Sequence, residues 1–288
     1  MTQLLQQDLK WEQRQRLTLL EATVFWSGEV STNALTDSFG ISRVQASKDL
    51  RLYQALCPGN IHYDKFLKRY VIEATFKPAF MKGSAGEFLQ VLKIQRDGAG
   101  GALVALINNL PPVEIVESAV RQINRIILQT VNQAIIAGKE ICAVYQSMSR
   151  IEPVELRLSP HALVFDGLRW HMRAFSRTHN EFRDFVVARV LSAEFAGSTD
   201  IDPSDDLAWH LFVTIKIGPH PGLSESQKAI IEFDYAMENG ILEHKVRAAV
   251  VPYFLKAMRI GPDDLMREAS VQQIVLLNRD ELKNYLLF

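Results

Sequence analysis

The 288-residue sequence predicts a multidomain α+β protein. Three observations carry this. The apolar period changes from helical to alternating and back along the chain. Two short helices are followed at once by a strand pair with a basic tip. Five or six short β-runs crowd into about 55 residues near the middle of the chain. The order expected is a winged helix-turn-helix domain over residues 1–80, a helical linker over 81–138, a small β-barrel or sandwich over 139–197, and a small α+β domain over 198–288.

Residues 10–57 read as short helices. Leu17, Leu20 and Val24 repeat at i, i+3 and i+7, one face of a helix. Ser31 or Thr32 caps a second helix carrying Leu35 and Phe39, and Gly40 suits the left-handed position that closes it. Ser42-x-x-Gln45 fits a capping box at the start of a third helix, which Ala46, Leu50 and Tyr53 line on one side and Pro58-Gly59 ends. The period then drops to two. Ile61 and Tyr63 lead into Asp64-Lys65-Phe66-Leu67-Lys68-Arg69, and Tyr70 and Ile72 lead out, as in a hairpin.

Ser84-x-x-Glu87 is a second capping box, with Phe88 and Leu92 behind it. Asp97-Gly98-Ala99-Gly100-Gly101 and Pro111-Pro112 break the run. Val120, Ile123, Ile127 and Val131 then form a helical stripe ended by Gly138, so that 84–138 reads as a linker bundle. Strands are expected at 141–145, 153–158, 163–166, 169–175, 182–187 and 189–195, separated at Pro160, Asp166-Gly167 and His179-Asn180. After a polar linker over 196–208, strands are expected at 210–217, 231–235, 243–249 and 272–277, and helices at 223–231 and 251–258. Pro219-His220-Pro221 reads as a rigid turn, and Tyr253, Leu255 and Met258 as core or dimer interface.

Composition excludes several classes. Apolar residues at 48% and charged residues at 23% are ordinary for a globular protein. A formal net charge of −1 excludes a uniformly basic nucleic-acid coat. Charge is nonetheless uneven, +2 over residues 1–80 and −5 over 196–288, which makes the C-terminal part the least suited to phosphate. Cys57 and Cys142 lack CxxC spacing, which argues against a disulfide framework and fits a reducing compartment. Met1 to Lys10 lacks a signal-peptide core, and no apolar run nears the length of a membrane helix. The expectation is a cytoplasmic protein without a membrane partner.

Two constellations carry chemistry. The first is the helix–turn–helix and wing. A recognition helix enters the major groove, where arginine pairs with guanine and glutamine with adenine. Arg43, Ser47 and Arg51 stand at i, i+4 and i+8 on one exposed face, flanked by Gln45 and Lys48. Lys65, Lys68 and Arg69 at the hairpin tip suit phosphate or the minor groove. The plain alternative is a solvated polar face on a generic helical domain.

The second is a cluster of Arg157, His161, His171, Arg173, Arg177, Arg183 and Arg189. His171 and Arg173 share one strand face, and Arg183 and Arg189 share another if the strand continues between them. With the hydroxyls of Tyr145, Ser147 and Ser149, such guanidinium groups suit a phosphate or carboxylate. The alternative is arginines paired with Glu152, Glu155, Asp166, Glu181 and Asp184.

Ser159-Pro160-His161-Ala162-Leu163, Arg169-Trp170-His171-Met172-Arg173-Ala174-Phe175, Phe182-Arg183-Asp184-Phe185 and Arg189-Val190 together resemble a WYL domain. Trp170-His171-Met172 stands where that family has its name-giving Trp-Tyr-Leu, keeping the Trp and an apolar third residue. The resemblance implies an Sm-like β-barrel after a winged helix, with a C-terminal extension that dimerises. More narrowly, the chain resembles the WYL repressors that control phage-defence islands of the BREX and CBASS kinds. It further implies that Tyr145, Ser147, His161, Arg173, Arg183 and Arg189 line a pocket for an anionic ligand, a nucleotide or nucleic acid.

Enzyme motifs are poor. Gly98-Ala99-Gly100-Gly101 lacks the Lys-Ser/Thr of a phosphate loop, Ser84 is better read as a cap, and the seven histidines show no zinc spacing. Neither catalysis nor a metal or cofactor is expected. The reading is a homodimeric regulator of transcription, a repressor on a pseudo-palindromic duplex operator and tuned by the anionic ligand. The alternative is an accessory protein that binds nucleotides or single strands through its β domain.

Overall fold

The computed structural model describes residues 9–96, 111–116 and 121–286. The expected break at Asp97–Gly101 and the Val120 position of the helical stripe lie outside the described residues. The chain divides into two compact units, Met1–Glu117 and Ser118–Phe288.

The first unit is built on α1 (Trp11–Ser27), β1 (Glu29–Val30), α2 (Thr32–Phe39), α3 (Arg43–Leu56), β2 (Ile61–Asp64), β3 (Arg69–Ile72) and α4 (Ala85–Arg96). Leu17, Leu20, Val24, Leu35, Ala46, Leu50 and Tyr53 fill its core, all without exposure, as their spacing predicts. The hairpin β2–β3 pairs Ile61 with Ile72 and Asp64 with Arg69, and β1 adds a short third strand on β3. Gly40 takes φ 62° at the end of α2, the left-handed turn that a Cβ would strain. The Ser42 side chain accepts from Gln45 N at 3.2 Å, but the Gln45 side chain donates to Asp49 instead of closing the box. At α4, Ser84 accepts from Glu87 N while Glu87 reaches back to Gly83 N, one residue before the position a capping box uses. Phe88 and Val91 of α4 pack on the first core, so this part of the expected linker belongs to the winged-helix unit.

Glu21 is the least expected core residue. It is fully buried, and one carboxylate oxygen accepts from three successive backbone N–H groups, Ala79, Phe80 and Met81, at 2.7–3.0 Å. The other accepts from Tyr53 Oη at 2.9 Å. Burial pushes its pKa up against the pull of these donors. The carboxylate pins the strap that follows the wing onto α1.

The second unit opens with α5 (Arg125–Ala137), capped by Asn124 and ended by Gly138 at φ 58°. Ile127, Val131 and Ala134 of α5 are buried against a five-stranded antiparallel sheet. The strands are β4 (Lys139–Tyr145), β5 (Val154–Phe165), β6 (Trp170–Ser176), β7 (Glu181–Val186) and β8 (Val190–Ser198), hydrogen-bonded in the order β7-β6-β5-β4-β8. Bulges in β4 and β5 bend this sheet. Among the described residues no ladder joins the edge strands β7 and β8.

Two strand expectations fail here. Pro160 does not separate strands: β5 runs through it, and the register shift between Pro160 and Ala162 absorbs the missing donor. The strand does not continue from Arg183 to Arg189, because the single turn Val187–Arg189 intervenes, so their shared face is lost.

The last part holds the one-turn helix α6 (Leu207–His210), β9 (Phe212–Pro219), α7 (Glu225–Asp234), β10 (Leu242–Arg247), α8 (Val251–Ala257), β11 (Ile274–Leu276) and α9 (Arg279–Leu282). The sheet order is β10-β9-β11, with Ile215, Ile217, Val251 and Leu255 at its core. The strand expected at 231–235 is instead the end of α7, which a complete Ser224–Gln227 capping box starts and Ile231 anchors. His220 is buried in its turn, its Nδ1 accepting from Gly222 N at 3.0 Å.

Candidate nucleic-acid interface

Helix α3 presents its candidates as the pattern requires. Arg43, Lys48 and Arg51 are exposed and Ser47 is half-buried, opposite the buried Ala46, Leu50 and Tyr53. No carboxylate pairs with Arg43, Lys48 or Arg51 among the described residues. Gln45 differs. Its amide nitrogen donates to Asp49 Oδ1 at 3.0 Å, and Arg16 Nε of α1 holds Asp49 Oδ2 at 2.6 Å. This chain fixes α3 against α1 and takes one of the two N–H donors of the Gln45 amide.

The wing is built to project. Asp64 Oδ1 accepts from Phe66 N at 2.7 Å and Leu67 N at 2.9 Å, and Lys68 completes the turn at φ 53°. Lys65 and Lys68 are exposed without an ion pair among the described residues, whereas Arg69 is paired with Glu29 of β1. Phe66, between the two lysines, is 98% exposed. The sequence pattern points to the cations of the tip, and Phe66 stands in the middle of that same run.

The Arg/His cluster of the sheet does not converge on one site. Arg173 is buried and forms a bidentate pair with Asp206, Nε to Oδ2 at 2.6 Å and Nη2 to Oδ1 at 2.8 Å, with Nη1 at 3.2 Å from Asp184. His161 Nε2 meets the same Asp206 at 2.9 Å. Burial works to raise the Asp206 pKa, but the His161 and Arg173 hydrogen bonds prevail and hold it at about 2. His171 Nε2 lies 3.1 Å from Asp166 instead. Arg183 pairs with Glu181, the Tyr145 hydroxyl accepts from Val186 N, and Ser147 bonds Ser149. Arg189 closes the turn before β8.

Arg173, His161 and Asp206 therefore tie the sheet to the segment that leads into β9. Tyr253 of α8 adds a second tie, its hydroxyl donating to Asp184 at 2.9 Å. Asp206 escaped sequence reasoning because it lies in an acid-rich stretch that reads as a linker. Among the described residues no group of three or more His, Cys, Asp or Glu side chains could hold a metal ion. No described helix is long and apolar enough to cross a membrane.

A winged helix with exposed cations on its third helix, followed by a bent five-stranded domain and a small α+β domain, defines a WYL-type DNA-binding regulator. The domain matches agree: the BrxR transcriptional regulator winged helix-turn-helix domain over residues 12–94, the WYL domain over 126–195, and the BrxR C-terminal dimerization domain over 212–282. The DNA-binding transcriptional repressor CapW of Escherichia coli strain KTE188 is 34% identical over 280 residues, covering 96% of this chain and 92% of the relative. The CapW of Pseudomonas aeruginosa is 33% identical over 285 residues, covering 98% and 94%. The chain belongs to this family of CapW- and BrxR-type transcriptional regulators. The solved PafBC of Arthrobacter aurescens covers 95% of this chain, which covers 47% of it, at 19% identity and a TM-score of 0.26.

Proposed function

We propose that the protein is a homodimeric repressor that reads a pseudo-palindromic operator in duplex DNA through α3 and the wing. The observation that carries this is the set of exposed cations with no carboxylate partner among the described residues, Arg43, Lys48 and Arg51 on α3 with Lys65 and Lys68 on the wing. Arg43 and Arg51, with Ser47 between them, take the base edges, and Lys65 and Lys68 take the backbone. Gln45 takes part through its position on α3, its amide being held by Asp49. Arg69 braces the wing through Glu29.

The C-terminal domain supplies the two-fold axis that sets half-site spacing. The family likeness points to a phage-defence operon as the regulated target and the cytoplasm as the setting. It also points to an anionic effector, a nucleotide or nucleic acid, that favours one arrangement of the two DNA-binding heads. Such an effector acts only by binding one state better than the other.

Hydroxyl-radical footprinting on the region upstream of the protein's own gene tests the reading. Two protected half-sites related by a dyad and separated by whole helical turns are expected. A single asymmetric footprint would remove the dimeric-operator reading.

A further inference from the structure

Composition made the C-terminal part the least suited to phosphate, yet the structure gathers cations there. A cavity of about 630 Å³ lies between the β5–β6 turn and α8 with its following loop, within the size range of small-molecule sites. Arg169, Lys256, Arg259 and Arg267 line it. Its carboxylate, Asp166, is already engaged by the N–H groups of Leu168 and Arg169 at 2.8 Å and by His171. Arg169 and Arg267 each have one carboxylate partner, Asp166 and Asp263. Lys256 and Arg259 are exposed and have none among the described residues. Pro252, Tyr253 and Ile260 form an apolar wall.

Two details describe the walls of the cleft. Arg259 sits at φ 58° just past α8, a left-handed position that glycine fills freely and a long side chain does not. His171, which does not itself line the cleft, packs 4.7 Å from Tyr253 and backs that wall. A helix C-terminus attracts a cation through its dipole, which accounts for Lys256. It does not account for Arg169, which comes from another strand turn.

We infer that this cleft binds a phosphate ester carrying a planar ring, the chemistry of a nucleoside phosphate. Lys256, Arg259 and Arg169 hold the phosphates, and Tyr253 and Ile260 face the ring. The site deepens the effector part of the preceding reading and moves it off the sheet residues, where Arg173 and His161 are already paired with Asp206. A ligand against Tyr253 bears directly on the Tyr253–Asp184–Arg173 tie between sheet and C-terminal domain.

Isothermal titration of the full chain with ADP and with pyrophosphate tests this without DNA, so its failure is separate from a failure of operator binding. ADP is expected to bind more tightly than pyrophosphate. Lys256→Ala and Arg259→Gly should each weaken ADP about tenfold, the loss of one charge-assisted contact. Arg259→Gly should at the same time leave the thermal midpoint unchanged or raised, because glycine relieves the left-handed strain. Arg183→Ala should bind as the parent does. No ADP binding at millimolar concentration, or binding that survives both cleft variants, would overturn the site. Equal affinity for ADP and pyrophosphate would overturn the ligand class, and loss in Arg183→Ala would return the anion to the sheet.

Discussion

Arg43 and Lys68 are both exposed cations of one domain, but their chemistry assigns them different parts. A guanidinium at the first turn of α3 can take two acceptors on one guanine, whereas an ammonium on the wing is a point charge beside phosphate. Arg43→Ala is expected to lose sequence preference. Lys68→Ala is expected to weaken every duplex and to flatten the salt slope by about one unit, read from anisotropy titrations across ionic strength. Phe66, 98% exposed between two lysines, adds apolar surface where phosphate contact alone needs none. Its truncation to alanine should lower operator affinity while leaving the salt slope intact, the signature of an apolar contact in the groove. The cations of α3 and the wing were legible in the sequence because exposed faces follow from helical spacing. The Gln45–Asp49 bond is an i,i+4 pair that the same spacing permits, whereas the hold of Arg16 on Asp49 was not legible, because it depends on where α1 runs.

Between elements, the ties of the second unit are ionic and buried. Asp206 serves Arg173 and His161 and also accepts from Trp209 N to start α6. Asp206→Ala leaves a buried guanidinium with only Asp184, so a loss of about 3–5 kcal/mol is expected in denaturant unfolding. The Asp206 carboxyl is held at about 2 in the fold against an ordinary 3.8. Its contribution is therefore fully present above about pH 4 and is lost as pH falls through about 2. Unfolding midpoints of the parent should drop across that window more steeply than those of Asp206→Asn. Residue types alone left open an anion pocket or arginines paired with nearby carboxylates, and Arg173–Asp184 and Arg183–Glu181 are pairs of the second kind. They were silent on Asp206, 33 positions away, which takes the bidentate pair with Arg173. Strand limits failed for a related reason: a bulge lets Pro160 stay inside β5, which local propensity cannot foresee.

On the scale of the whole molecule, the order of winged helix, bent sheet and α+β domain was legible because each part has its own period and turn chemistry. The segment net charge of −5 was a poor guide to the field at one cleft, since Lys256, Arg259 and Arg267 share a rim with Arg169 of the β5–β6 turn. The dimer assigned to the C-terminal domain predicts that a chain ending at residue 197 is monomeric by light scattering and binds operator DNA more weakly, having lost the second half-site. The central claim is sequence-specific recognition of duplex DNA by α3 and the wing. It is tested most directly by fluorescence anisotropy on the duplex upstream of the gene, beside a scrambled duplex and a single strand, at two salt concentrations. The account predicts far tighter binding to the first duplex, with one dimer per site, and loss of that margin in Arg43→Ala. Equal binding to all duplexes, or preference for the single strand, would contradict it.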